Sequence, residues 1–256
     1  MVIGLLILGL AAGVLSGLFG IGGGIVMVPT LIALFGFDIL DANAISLAAM
    51  LLPVGILGVI AYYRAGYVDF KKSLFISIGL VAGSFFGAKI AMNIGEGLLA
   101  KLYAALLLYV AVGYLDIPAL IKKKLRKTPE TTLAPRGSLW AFILLGIFAG
   151  VIAGMFGKGG GLIIVPALVT IFRFDSKTAA ATSLTALQLP VGLPSVIIYA
   201  QQGHLNLRYA AFIAGGILFG AFVGTKIAIK TPSAMFKKIY AIFLFVVTAY
   251  LLYKYL

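Results

Sequence analysis

Residues 17–31 read GLFGIGGGIVMVPTL, and residues 154–168 repeat them almost unchanged as GMFGKGGGLIIVPAL. The same offset of 137 positions (154 minus 17) pairs Pro53-Val54-Gly55 with Pro190-Val191-Gly192, and it pairs Lys89 with Lys226. No gap is needed over about 100 residues, which is the sign of a repeated structural unit. The sequence therefore predicts an internal duplication.

Composition places the chain in a lipid bilayer. Hydrophobic residues make up 62% of the 256 and charged residues 11%, against about 45–50% and 25% in soluble domains. Apolar runs at residues 42–63, 73–92 and 97–115 each approach the roughly 20 residues that carry a helix across the hydrocarbon core. The apolar residues 2–14 lack the basic flank of a signal peptide and recur at 139–152, so we expect a structural helix there.

Basic residues indicate how the helices are oriented. The net charge is +13, and the Lys and Arg residues lie in short breaks between apolar runs. This distribution is typical of cytoplasmic loops of membrane proteins. It accounts for the positive charge, so we expect no nucleic-acid partner. With the basic linker cytoplasmic, counting crossings places residues 64–72 inside and their counterparts, residues 201–209, outside, in agreement with the charges. We therefore expect two inverted halves, with both termini on the extracytoplasmic side.

The predicted fold is an all-α polytopic protein of the cell membrane with two inverted-topology repeats. The first repeat spans residues 1–116, the cytoplasmic linker 117–138 and the second repeat 139–256. We expect each repeat to contain a broken or re-entrant Gly-rich hairpin and three transmembrane helices, about ten helical segments in all. The second arm of each hairpin has about 12 residues, or 18 Å as a helix, which is short against a core of roughly 30 Å. The hairpin tips are therefore expected to meet near the middle of the bilayer.

The glycine-rich tips carry the chemistry expected of an anion site. Glycine permits positive φ and lets a ligand approach the main chain, and the helix that follows leaves its first N–H groups unpaired at the positive end of its dipole. Lys158 adds a charge where the first copy has Ile21. The alternatives are that Lys158 extends to the membrane interface and that the glycines serve close helix packing. The predicted substrate-binding residues of the tips are Gly22, Gly23, Gly24, Lys158, Gly159, Gly160 and Gly161.

Polar residues after each hairpin complete the predicted cavity. They are Ser46 in the first half and Ser183, Thr185 and Gln188 in the second. The alternative is hydrogen bonding between helices, worth about 0.6 kcal/mol each. Pro53 and Pro190 are expected to break or kink their helices. With one histidine, His204, no cysteine and no carboxylate pair within a span, we expect no metal site, no cofactor and no enzymatic activity.

The duplicated pattern G-x-x-x-G-x-x-G-x-G-G-G-x-x-x-x-P-x-L, at residues 13–31 and 150–168, resembles that of the TauE/SafE sulfite exporter family. The resemblance covers essentially the whole chain. It implies a membrane permease for small sulfur-containing anions, such as sulfite or organosulfonates, that works as a secondary transporter. It also implies that the two glycine-rich segments take part in transport.

The repeat, the glycine-rich tips and the family resemblance together predict a secondary transporter of a small sulfur-containing anion that works by alternating access. The expected partners are the anion, the lipid bilayer and a coupling ion, H⁺ or Na⁺, and a homodimer is one option. Three alternatives stay open: an anion channel, a transporter of another carboxylate or oxyanion, and a non-transporting membrane scaffold.

Overall fold

The computed structural model describes residues 1–20, 22–53, 55–114, 138–157 and 160–230, together with residues 249 and 253. Its helices in the first half are α1 (Val2–Phe19), α2 (Gly24–Phe35), α3 (Ile39–Ala49), α4 (Ile56–Arg64), α5 (Phe70–Asn93) and α6 (Glu96–Tyr114). Those in the second half are α7 (Leu139–Phe156), α8 (Gly161–Thr170), α9 (Ser176–Ala186), α10 (Leu193–Gln201) and α11 (Leu207–Lys230).

The predicted all-helical polytopic fold is confirmed. The described residues contain no strand, and α1, α5, α7 and α11 are each long and apolar enough to cross a membrane. Residues 115–137, which include nearly all of the predicted linker, lie outside the described residues, as does most of the chain after Lys230.

The first glycine-rich segment reverses the chain. Helix α1 ends at Gly20, which takes φ 65° and donates its amide to the Ser16 carbonyl. On the return, a Cβ placed on Gly23 would lie 3.0 Å from the Cβ of Ala12, and one on Gly4 would lie 3.0 Å from the Phe35 ring. The last turn of α2 therefore lies beside the first turn of α1, so the two helices form a hairpin.

The second glycine-rich segment does the same. Helix α7 ends at Gly157 with φ 66°, and near the open end of the hairpin the Phe142 ring stacks on the Phe172 ring with centroids 4.6 Å apart. A left-handed residue is the usual end of a helix before a turn, and glycine adopts it without steric cost. The predicted hairpins are confirmed as chain reversals, while their depth in the bilayer stays a prediction.

Both predicted proline breaks are confirmed. Helix α3 ends at Ala49 and α4 begins at Ile56; in the second half α9 ends at Ala186 and α10 begins at Leu193. Pro53 and Pro190 lie inside these gaps. Proline lacks the amide that would continue the helix and its ring clashes with the preceding turn, so each segment is two short helices in series.

Glycines join each long helix to the opposite half. Helix α1 packs along α11, and α7 packs along α5. A Cβ on Gly9 would overlap the main chain of Ile213, and one on Gly220 would overlap the carbonyl of Leu10. Two helices can pack with their main chains this close only where small residues such as glycine lie at the contact. The same pattern recurs between α5 and α7, where Gly83 meets Ile147. Gly13, Gly17, Gly150 and Gly154 have the same packing role, since each faces main-chain atoms of the opposite half.

Replacing Gly220 by alanine tests this close packing. Because the new methyl group would overlap the main chain of α1, we expect Gly220→Ala to lower the free energy of unfolding by about 1–3 kcal/mol. Thermal unfolding of the purified protein in detergent measures the effect. The control is Gly215→Ala in the same helix, where the nearest atom to an added Cβ is Leu6 Cδ2 at 3.8 Å. Equal melting temperatures of the two variants would contradict the packing described here.

Candidate functional site

Each hairpin tip is bound by the broken helix of the other half. The Ser183 hydroxyl on α9 donates to the Gly20 carbonyl at 2.7 Å, and the Ser46 hydroxyl on α3 donates to the Gly157 carbonyl at 2.7 Å. Both serines are fully buried. Since Ser46 and Gly20 move onto Ser183 and Gly157 under the 137-position offset, the two hydrogen bonds are the same contact made reciprocally.

Two tyrosines make a second pair of equivalent contacts one turn earlier, each within its own half. Tyr62 on α4 donates its hydroxyl to the Gly17 carbonyl at 3.0 Å, and Tyr199 on α10 donates to the Gly154 carbonyl at 3.0 Å. The last carbonyls of a helix have no partner within the helix. In both hairpins these carbonyls are satisfied by hydroxyl groups from a broken helix.

The described glycines of the predicted site are all buried. Gly22 and Gly160 take positive φ values of 75° and 58°, as expected for glycines that form a tight tip. Helix α2 uses the Gly23 carbonyl for its first two bonds, from Val26 and Met27. The amides of Gly24 and Ile25 have no acceptor among the described residues, as expected for a helix N-terminus. Lys158 and Gly159 lie outside the described residues.

The predicted polar side chains are mostly engaged with the main chain. Ser46 and Ser183 donate to the tips, and the Thr185 hydroxyl donates to the Ala181 carbonyl one turn back at 2.7 Å. In this conformation those three hydroxyl protons are not available to an anion. For Ser46 and Ser183 the contacts are hydrogen bonds between segments, which is the alternative raised by the sequence.

Gln188 is the exception among the predicted side chains. Its Nε2 donates to the Leu184 carbonyl at 2.8 Å, while its Oε1 is buried and has no hydrogen-bond partner. It also lies against the break in the first half, because a Cβ on Gly55 would lie 2.6 Å from Nε2. Gln188 therefore belongs to the centre of the molecule, where the two breaks meet.

Two small cavities lie at this centre. Cavity A is lined by Leu47, Met50, Leu80, Ser84, Ala153, Leu187, Val191 and Gly192. Cavity B is lined by Ser16, Met50, Leu52, Gly55, Leu184, Leu187, Gln188 and Ile217. Each has room for about one water molecule.

The repeat relates the two cavities to each other. The 137-position offset moves most of the lining of cavity B onto that of cavity A, including Ser16 onto Ala153 and Gly55 onto Gly192. Met50 and Leu187 are counterparts under the offset, and both line both cavities. These two side chains therefore form a wall common to both cavities.

Sequence reasoning missed most of this centre. Of the predicted site residues that the structure describes, Gln188 alone lines a cavity; the described tip glycines line neither. The available signal was the repeated Pro-Val-Gly at each break, since Gly55 and Gly192 belong to it and Met50 and Leu187 precede it. Ser16 carries no such signal, because it is one small residue among many on α1.

Charged side chains lie at the helix ends. The His204 Nδ1 is 2.6 Å from the Asp41 Oδ1, which joins the loop before α11 to the first turn of α3. His204, the single histidine of the sequence, is thus paired across the two halves.

The described residues contain no cluster of three His, Cys, Asp or Glu side chains that could hold a metal ion. No acidic side chain lines either cavity.

Replacing Ser183 by alanine tests the role of the reciprocal hydrogen bonds. The change leaves the buried Gly20 carbonyl without the hydroxyl donor, which we expect to lower the free energy of unfolding by about 1–3 kcal/mol. Thermal unfolding in detergent gives the measurement, with Ser46→Ala expected to behave alike. Ser138→Ala is the matched control, because Ser138 is exposed and its side chain makes no capping bond. Equal melting temperatures of Ser183→Ala and Ser138→Ala would refute this role.

Comparisons with known proteins agree with this architecture. The family model "Sulfite exporter TauE/SafE" matches residues 5–251. The probable membrane transporter proteins YunE and YdhB of Bacillus subtilis are 27% and 30% identical to this chain. The YunE match covers 98% of this chain and 97% of YunE, and the YdhB match covers 91% of each chain. A probable membrane transporter protein of Methanocaldococcus jannaschii is 30% identical over 87% of this chain and 85% of its own. No solved structure matches the chain. The chain belongs to the TauE/SafE family of multi-pass membrane transporters.

Proposed function

We propose that the protein is a secondary transporter that moves a small sulfur-containing anion, such as sulfite or an organosulfonate, across the cell membrane by alternating access. Membership of a family described as sulfite exporters supports the substrate class. The relatives named as probable membrane transporters support transport rather than enzymatic activity.

The observation that carries the mechanism is the pair of cavities on either side of Met50 and Leu187. In transporters built from inverted repeats, the two halves exchange conformations, and the exchange opens the central site to one side and then to the other. Two counterpart cavities separated by two counterpart side chains fit a conformation closed to both sides. The small size of both cavities agrees with such a closed form.

Contacts between loops support the proposed inverted topology. The count of crossings that places residues 201–209 outside also places the loop with Asp41 outside, and Asp41 pairs with His204. The same count places the loop with Lys177 inside, as it does residues 64–72; the Lys177 Nζ donates to the Ile229 carbonyl at 2.9 Å and lies 5.6 Å from the centroid of the Tyr67 ring. Residues assigned to the same face therefore meet. The proposal keeps the linker 117–138 cytoplasmic and both termini extracytoplasmic.

The positive potential for the anion is proposed to come from main-chain amides and from Lys158. Helix N-termini attract anions, and the hairpin tips supply two of them, with Gly22–Gly24 and Gly159–Gly161 as the proposed donors. Ser46, Ser183 and Thr185 would contribute donors only in a conformation that releases their main-chain bonds. The coupling ion, H⁺ or Na⁺, and a homodimer remain part of the proposal.

Flux of labelled sulfite in proteoliposomes tests the function. We expect uptake that saturates with concentration and shows counterflow, in which unlabelled sulfite trapped inside accelerates entry of the label. Lys158→Ala is expected to reduce this flux about tenfold or more, since it removes a charge proposed to face the anion. Lys89→Ala is the control for net charge, because Lys89 is exposed and lies over the Phe85 ring at 4.5 Å.

Each other outcome identifies an alternative. Flux without saturation or counterflow would indicate a channel, and no flux of any anion in a panel of sulfite, sulfate, sulfonates and carboxylates would indicate a scaffold. Transport that a carboxylate inhibits strongly and sulfite does not would indicate that the substrate is a carboxylate rather than a sulfur-containing anion. Undiminished transport by Lys158→Ala would remove that lysine from the mechanism.

A further inference from the structure

Cavity B contains polar groups that the fold leaves unpaired. Ser16 on α1 is 3% exposed and lines the cavity, and the described residues show no hydrogen bond of its hydroxyl. Gln188 lines the same cavity, and its buried Oε1 also has no partner. A buried polar group without a partner destabilises the fold. The Gln188 oxygen, together with the Ser16 hydroxyl on the same cavity, therefore points to a ligand that supplies the missing hydrogen bond.

The hydrogen-bond pattern decides which atom of the Gln188 amide is the acceptor. Nε2 and Oε1 are distinguished by their partners. The Leu184 carbonyl, 2.8 Å away, can only accept a hydrogen bond, so the atom facing it is Nε2. Gln188 then keeps one free N–H donor and one free carbonyl acceptor. The cavity offers both kinds of hydrogen-bonding group.

The main chain adds positive potential at the same place. Helix α4 has 9 residues, and its N-cap, Gly55, lines cavity B. The N-terminal end of a helix carries a partial positive charge that favours an anion. No titratable side chain of the described residues lines this cavity, so no charged side chain opposes that potential at the cavity wall.

The counterpart cavity lacks these features. In cavity A the position of Ser16 is taken by Ala153, and the position of Gln188 corresponds to Leu51. Ser84 does line cavity A, but its hydroxyl donates to the Val191 carbonyl at 2.8 Å. The duplication thus places two equivalent cavities in the molecule, and only cavity B presents free polar side chains.

We propose that cavity B is the binding site for a singly charged oxyanion that carries one proton, of which hydrogen sulfite is the member that fits the proposed function. The Ser16 hydroxyl and the free N–H of Gln188 donate to the anionic oxygens, and Gln188 Oε1 accepts the hydrogen bond from the ligand's O–H group. Met50 and Leu187 move aside to admit it, since the cavity in this conformation holds about one water molecule. This inference rests on the proposed transport of a small anion; it adds a binding place on the anion's route that is separate from the hairpin tips, and it adds the anion's protonation state.

One consequence concerns the coupling of protons. No acidic side chain lines either cavity, so the described centre has no carboxylate to carry a proton. A ligand that binds with its own proton carries that proton across with it. The pH dependence of transport then follows the protonation of the ligand.

Binding of sulfite by the purified full-length chain tests the site, measured as ligand-induced thermal stabilisation. The variants are Ser16→Ala and Gln188→Leu; the second introduces the residue type of its counterpart, Leu51, so the fold is expected to keep its melting temperature without ligand. We expect the sulfite concentration that gives a fixed rise in melting temperature to increase about tenfold in Gln188→Leu and several-fold in Ser16→Ala. Gln202→Leu and Ser138→Ala, both at exposed positions, are the matched controls and should leave it unchanged.

The outcomes separate this inference from the proposed function. Unchanged sulfite binding in both variants would overturn the site, and binding of methanesulfonate, which has no proton to donate, as tightly as sulfite would overturn the protonation state. Absence of sulfite binding by the unaltered chain would overturn the inference as well. Sulfite binding that depends on Gln188, without any flux in proteoliposomes, would support the site and contradict transport alone.

Discussion

The fold depends on satisfying the main-chain groups at two buried helix ends. A helix that ends in the protein interior leaves carbonyls without partners, and each unsatisfied buried group costs about 1–3 kcal/mol. In this chain Ser183 and Tyr199 satisfy the carbonyls of Gly20 and Gly154, and the counterparts Ser46 and Tyr62 do the same for Gly157 and Gly17. Because every serine partner lies in the opposite half, the two halves stabilise each other's hairpins.

The glycines have two physical roles that the sequence alone does not separate. Those within the helices, such as Gly83 and Gly220, allow α5 to approach α7 and α1 to approach α11 at main-chain distance. Those at the tips, such as Gly22 and Gly160, take positive φ. The first group joins the halves into a frame of long helices, and the second ends the hairpins inside it. The described breaks at Pro53 and Pro190 then lie where this frame leaves room for cavities.

The two halves are similar in topology but not in their polar contacts. On α5, the hydroxyls of Ser73, Ser77 and Ser84 donate to the carbonyls of Thr182, Ala186 and Val191, which line up along α9 and the break after it. Their counterparts on α11 are Ala210, Ala214 and Ala221, which have no hydroxyl to donate. The break that carries Gln188 is therefore bound to the frame more firmly than the break that carries Met50. The duplicated scaffold is symmetric, and single polar substitutions make its centre asymmetric.

Much of the fold follows from local features of the sequence. Apolar composition determines the membrane environment, the 137-position repeat determines the duplication, and the Gly-Gly-Gly and Pro-Val-Gly segments determine the turns and breaks, because each acts through its own backbone. The tertiary structure decided which polar groups remain free. Ser46 and Ser183 resemble candidate ligands in the sequence, yet they are hydrogen-bonded to the main chain, whereas Ser16, which nothing in the sequence distinguishes, lines a cavity. The reason is that these contacts join residues more than 100 positions apart, and no local pattern records which distant carbonyl a hydroxyl will meet.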